Sequence, residues 1–182
     1  MEKARQPSGI ARSTIIVRSA PGSKSRAFVR FGAVTVPAAI GRTGRTISKQ
    51  EGDGATPIAS MMLLYGFMRG DRIRFLQTSL PMKRTRKEML WCDEPRNANY
   101  NRLVKVPFAE GHEKMMRSDG LYDICLVLDW NIRSRRRNRG SAIFLHLIKP
   151  GYEPTAGCIA IGRKDMVRLM RFVRRGTRVK VI

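Results

Sequence analysis

Two apolar runs limit what this chain can fold into. In LYDICLVLDWN, Ile124, Leu126 and Leu128 alternate with Cys125 and Val127. SAIFLHLIK follows after the basic stretch RSRRRNRG. Alternation with a period of two is the signature of a strand, and two such runs around a turn read as a β-hairpin. GCIAI predicts a third short strand beside them. STIIVRSAP, Ala27–Phe31, Ala33–Val36 and TRVKVI read as further strands, with Gly32 as a turn or bulge. IASMMLLYGFM is ambiguous between strand and short helix, and DRIRFLQTSLP looks extended, closed by Pro81. One segment has helical spacing: Met166, Leu169, Met170 and Val173 recur at i, i+3, i+4 and i+7 within Lys164–Arg174, with Gly176 as a C′ residue. The fold class is therefore mainly β, a sandwich or open barrel-like sheet with one C-terminal helix.

Two segments read as loop. GRTGRTISKQEGDGATP is rich in Gly, Ser, Thr and Asp. MKRTRKEMLWCDEPRNANYNRLVKVP is a long polar connection, of a length that is usually functional or disordered. Its Trp91 and Tyr100 argue for an ordered one. The 182 residues suit a single domain over 13–182 behind a flexible basic arm at 1–12. No run approaches the roughly 18 apolar residues of a membrane span, so no transmembrane segment is expected. The longest apolar piece near the start is Ile15–Val17, so no secretory signal is visible. The chain then stays inside, leaves by another route, or is numbered from after a signal.

The net charge of +22 implies attraction to a polyanion. Nucleic acid, anionic membrane and bacterial envelope polymers all qualify, and charge does not choose among them. RSRRRNR invites a nucleic-acid reading, but its place between two core strands suits a solvated hairpin tip. No helix-turn-helix or RRM pattern is present and the aromatics do not interleave with the basic run, so nucleic acid is not the expected partner. Cys92, Cys125 and Cys158 form no CxxC and no zinc-site spacing, so no metal is expected. Cys92 and Cys125 read as packing residues and His112 as a surface residue.

The chemistry concentrates in HLIKPGYEPTAGCIAI. His146 ends one strand and Cys158 opens the next. A thiol becomes a nucleophile when a base stands beside it. Gly157 lets the backbone approach a substrate closely and can aim N–H groups at an oxyanion. A buried thiol after a satisfied strand histidine remains the alternative from these residues alone. Trp91, Asp93, Asn99, Tyr100, Asn101 and Arg102 either line a groove or brace the long loop. Arg117, Asp119, Tyr122 and Asp123 form either an ion-paired strand entry or a carboxylate-binding group. Glu51 and Asp53 suit a turn in which acids bond their own backbone.

PTAGCIAI, preceded by GSAIFLH, resembles the catalytic segment of the YkuD-type L,D-transpeptidases through His146, Thr155, Gly157 and Cys158. KQEGDGATP resembles that family's EGDG-x-TP block, LPMKRTRKEMLWCDEPRNANYNR its LP…WCDxP…YNR block, and MMRSDGLYDICLVLDWN its RxDxxYDxxLxxxxN strand. The likeness runs from about Gly41 to Met170. It implies a β-sandwich with the cysteine beside a groove and long substrate-side loops. It also implies attack on the bond between the third residue of a peptidoglycan stem peptide and a terminal D-alanine. Cys158 would form a thioester, His146 would act as base and then acid, and the N–H groups of Gly157 and Cys158 would hold the oxyanion. Thr155, Ala156, Trp91, Tyr100, Asn101, Arg102 and Arg117 are the implied substrate-binding residues. An amine acceptor gives a cross-link; water gives carboxypeptidase action. The implied partners are stem peptides or muropeptides, with carbapenem-type β-lactams as covalent inhibitors, no cofactor, and a periplasmic or cell-envelope location. The chain departs from the pattern at Ala156, where many members have His, and in IAI after the cysteine, where many have Arg. A hydrolase with the same dyad is one alternative. A non-catalytic basic protein binding nucleic acid or envelope on this fold is another.

Overall fold

The computed structural model describes residues 14–182, so the arm expected over 1–12 lies outside the described residues. In chain order the strands are β1 (Thr14–Ser19), β2 (Arg26–Phe31), β3 (Val34–Ala39), β4 (Arg45–Thr46), β5 (Thr56–Pro57), β6 (Ser60–Met68), β7 (Met82–Arg84), β8 (Met89–Cys92), β9 (Arg102–Lys105), β10 (His112–Lys114), β11 (Ile124–Leu128), β12 (Phe144–Leu147) and β13 (Ile159–Ile161). The helix α1 (Arg163–Met170) and strand β14 (Arg178–Val181) follow. The fold is mainly β with one α-helix among the described residues.

The strand pairings make a closed circuit. It runs β11-β12-β13-β3-β2-β1-β14-β6, and β6 pairs back onto β11. Closure leaves no open edge among these eight strands. The ambiguous IASMMLLYGFM is the long strand β6. It carries β14 against its first residues and β11 against its later ones, so it joins the two ends of the circuit. The expected hairpin pairs antiparallel, with Leu126 opposite Leu145. The next strand, β13, runs parallel to β12.

Period two explains why the core runs are apolar without interruption. Ile124, Leu126, Leu128, Leu145, Leu147, Ile159 and Ile161 point into the first core, inside the circuit. Cys125, Val127, Phe144 and Cys158 point the other way into a second core with Phe67, Trp91, Met115 and Tyr122. A small sheet, in the order β10-β8-β9, contributes Trp91 to that second core. It is built from the long polar connection and from HEK of the polar stretch at 109–114. Strands covered on both faces lose their polar alternation.

The structure corrects three local readings. DRIRFLQTSLP forms no strand; it contributes one isolated bridge, Ser79 to Arg174, before β7 begins. The helix stops at Met170 rather than Arg174, because the Arg171 and Phe172 N–H groups bond three residues back, to Arg168 O and Leu169 O. That tightening frees the chain to enter β14. Val173 stays buried although it has left the helix, and Gly176 (φ +82°) serves the turn into β14 instead of a helix cap.

Candidate active site

The parallel pair β12–β13 sets His146 opposite Ala160 and Leu145 opposite Ile159. One step back along that register, Cys158 stands beside Phe144, whose N–H donates to Cys158 Sγ at 3.3 Å. Phe144, His146, Cys158 and Ala160 therefore share the face turned away from the first core. His146 and Cys158 are diagonal neighbours on it. A cavity of about 330 Å³ opens over this face, lined by both of them with Glu113, Arg117, Tyr122, Thr155 and Ala156. A second cavity of about 180 Å³ lies on the far side of the cysteine, lined by Lys49, Glu51, Asp93, Ala142 and Gly157. Cys158, Ala156 and Glu113 line both.

The imidazole is held in one tautomer. His146 Nδ1 lies 2.8 Å from Leu147 O. A carbonyl oxygen only accepts, so Nδ1 carries the proton and Nε2 keeps its lone pair. Burial holds the His146 pKa down to about 4, against the opposing pull of that carbonyl, so the ring is neutral at pH 7. The Tyr122 ring meets it edge-on at 5.2 Å. The thiol is neutral too. Burial, and next the nearby Glu113, push Cys158 well above the ordinary thiol range. Its sulfur donates to Ala142 O at 3.1 Å. The site thus brings a neutral thiol and a neutral imidazole to one cavity wall.

The turn ahead of the cysteine is clamped by two threonines. Thr155 Oγ1 donates to Cys158 O at 2.6 Å and accepts the Gly157 N–H at 3.1 Å. Thr56 Oγ1 donates to Gly157 O at 2.9 Å and accepts the Gly41 N–H at 2.9 Å. Gly157 has φ +142°, and a Cβ there would stand 2.9 Å from Ala55 O. Only glycine fits that backbone. Its N–H, implied as an oxyanion donor by the sequence resemblance, is spent on Thr155.

The remaining sequence-selected residues fall in three places. Arg117 lines the first cavity, ion-paired to Asp119 at 2.5 Å and stacked over Tyr122 at 5.2 Å. Thr155 and Ala156 are at the same cavity, with Ala156 exposed on the lip between the two. Trp91, Tyr100 and Asn101 are buried behind the site and line neither cavity. Asn101 Oδ1 accepts Trp91 Nε1–H at 3.0 Å and the Ala142 N–H at 3.1 Å, while Asn101 Nδ2 donates to Trp130 O at 3.1 Å. Tyr100 donates to Glu51. Their placement is that of braces, because a side chain with no exposed polar atom has nothing to offer a substrate. Arg102 is exposed on β9, away from both cavities. Cys92 and Cys125 are buried, and His112 is half-buried against Phe108.

Two site residues escaped sequence reasoning. Glu113, in β10, accepts the Tyr122 hydroxyl at 2.5 Å, and burial raises its carboxyl above the usual range. Lys49, at the head of the EGDG block, is 3% exposed and tied to Asp53. Nothing in a polar HEK or a loop lysine announces burial; only its position four residues before Asp53 hinted at the ion pair.

The sequence matches the YkuD family, the L,D-transpeptidase catalytic domain, over residues 13–181. The chain belongs to that family. Among solved structures it is similar to Bd1075 of Bdellovibrio bacteriovorus, with 13% identity and a TM-score of 0.49, over 94% of this chain and 48% of that one. It is also similar to L,D-transpeptidase 1 of Mycobacterium tuberculosis, with 14% identity and a TM-score of 0.39, over 93% and 62%. The chain thus spans about half of the first protein's length and under two thirds of the second's. No curated protein matches it. Among the described residues, no helix is long and apolar enough to cross a membrane.

Proposed function

We propose that this YkuD domain is a cysteine acyltransferase acting on peptidoglycan stem peptides. Cys158 attacks the carbonyl before a terminal D-alanine while His146 Nε2 takes the thiol proton. The tetrahedral adduct collapses to a thioester, and the proton on His146 goes to the departing D-alanine amine. An amine acceptor then attacks the thioester, with His146 again as base. The observation that carries this reading is the pairing of His146 and Cys158 on one strand face and one cavity wall, with Nδ1 fixed by Leu147 O so that Nε2 is the free base. Two cavities meeting at the sulfur suit a donor on one side and an acceptor on the other. Arg117, at the edge of the first, gives its Nε and Nη2 to Asp119, so its Nη1 side is what it can offer a stem-peptide carboxylate.

Water reaching the thioester would give hydrolysis instead, and Ala156 on the lip is a small residue that leaves the way open. The substrate places the working enzyme at the cell envelope. Intact mass after incubation with a carbapenem-type β-lactam tests the chemistry. Wild-type protein gains one adduct and Cys158→Ala gains none; an equal adduct on both sinks the assignment. Product analysis on purified tetrapeptides, with and without an added amine, separates transfer from hydrolysis.

A further inference from the structure

We propose that Lys49 is a catalytic residue of this centre, whose ammonium receives the oxyanion formed when Cys158 attacks a carbonyl. The inference rests on the acyl-transfer reading above.

Lys49 is 3% exposed, so its charge has left water. Nζ donates to Gln50 O at 2.9 Å and to Asp53 Oδ1 at 2.5 Å. An ammonium has three donors, so one N–H remains. Asp53 is itself shared: Oδ2 accepts the Gln50 N–H and Oδ1 the Ala55 N–H, each at 2.8 Å. Burying a lysine this way is costly unless its surroundings use it. The backbone is shaped around it. A Cβ on Gly140 (φ +83°) would stand 2.8 Å from Lys49 Cγ and 2.9 Å from Cε. Glycine there leaves room for the lysine stem.

Nζ stands close to the backbone just ahead of the cysteine. It lies 3.6 Å from the point a Cβ on Gly157 would occupy, and Lys49 lines the second cavity with Cys158. His146 lines the first cavity and not the second. Base and ammonium therefore flank the sulfur. In the tetrahedral adduct the leaving nitrogen must face His146 to collect its proton. The carbonyl oxygen is a separate substituent of the tetrahedral carbon and can point into the second cavity, where Lys49 stands. Gly157 N–H cannot meet it there while Thr155 holds that hydrogen, which leaves the Cys158 N–H in need of a second donor that can reach the same oxygen. The free N–H of Lys49 can.

The step balances as follows. The S–H proton moves to His146 Nε2, the sulfur pair forms the S–C bond, and the carbonyl π pair moves to oxygen. Lys49 stabilises that oxygen without giving up a proton. The C–N bond then breaks, and nitrogen takes the proton from His146.

Two reagents separate this role from a structural one. Acylation by a carbapenem passes through an oxyanion; alkylation by iodoacetamide does not. Loss of one oxyanion donor costs about 10²–10³ in rate. Lys49→Met should therefore slow carbapenem acylation about 100-fold, read by time-resolved intact mass, while alkylation of Cys158 changes by about threefold or less. Lys49→Arg should recover part of the acylation rate. Should Lys49→Met fail to fold, Asp53→Asn loosens the tether and should shift the ratio of the two rates in the same direction. Acylation and alkylation falling together, or neither changing, overturns the assignment of Lys49 alone. Wild-type protein that alkylates at Cys158 but takes no carbapenem adduct overturns the acyl-transfer reading and this inference with it.

Discussion

At the scale of single residues, His146 carries a measurable pH signature. Its pKa falls from an ordinary value near 6.5 to about 4 in the folded chain because burial disfavours the charged ring. The unfolded chain thus binds the extra proton more readily between those values. The stability that comes from keeping the ring neutral is complete above about pH 6.5 and is lost as pH falls toward 4, by about 3 kcal/mol. Urea unfolding of wild type and His146→Gln at pH 7 and pH 4 reads this directly. The gap between the two proteins should narrow by about that amount at the lower pH, and a constant gap would falsify the buried neutral imidazole. The same neutral ring predicts carbapenem acylation that is level from about pH 5 to 8 and drops as pH nears 4. The candidate site was partly legible in the sequence. Cys158 and His146 stand out as rare types in a recognisable order. Lys49 and Glu113 did not, because a charged side chain is read as exposed until the packing shows otherwise.

At the scale of elements, the long connection at 82–107 is the clearest case of sequence ambiguity resolved by packing. Its aromatics signalled order, but not what the order is for. The structure makes it β7, β8 and β9, with Asn101 tying the loop to the active-site wall through Ala142. Ala142 O in turn holds the Cys158 thiol. Asn101→Ala strips the partner from two buried N–H groups, those of Trp91 and Ala142. It should cost about 2–4 kcal/mol of stability. It should also slow Cys158 acylation under conditions where the protein is still folded, measured by thermal unfolding and adduct formation on the same sample. Unchanged stability would mean that Asn101 is no brace. The strand at IASMMLLYGFM was undecided for a related reason. An apolar run has no period of its own when both of its faces are covered, so only its partners β14 and β11 decide that it is extended.

At the scale of the whole molecule, closure of the strand circuit makes the C-terminal strand structural. β14 pairs with β1 in parallel and with β6 antiparallel. Deleting residues 178–182 opens the circuit between β1 and β6 and exposes Val179 and Val181 partners in the first core. The truncated chain should lose its cooperative thermal transition; a transition near the wild-type temperature would show that closure contributes little. The charge of +22 acts at this scale as well. Binding of the protein to isolated sacculi should weaken steeply as salt rises from about 50 to 500 mM, because exposed charges are screened over about a Debye length. Salt-insensitive binding would remove charge from the account of substrate capture.

The sequence by itself determined the class of fold, the hairpin of core strands, the helix near the end and the order of His146 and Cys158 on neighbouring strands. These are local matters: period, turn chemistry and the order of rare residues are written along the chain. Only the tertiary structure decided that the strands close through β6, and that Trp91, Tyr100 and Asn101 stand behind the site. It alone decided that Thr155 takes the Gly157 N–H and that Lys49 is buried beside Cys158. Each of those depends on which distant segments meet, and on which charges are stripped of water when they do. A strand period places a side chain on a face, but the desolvation that changes its chemistry comes from whatever covers that face.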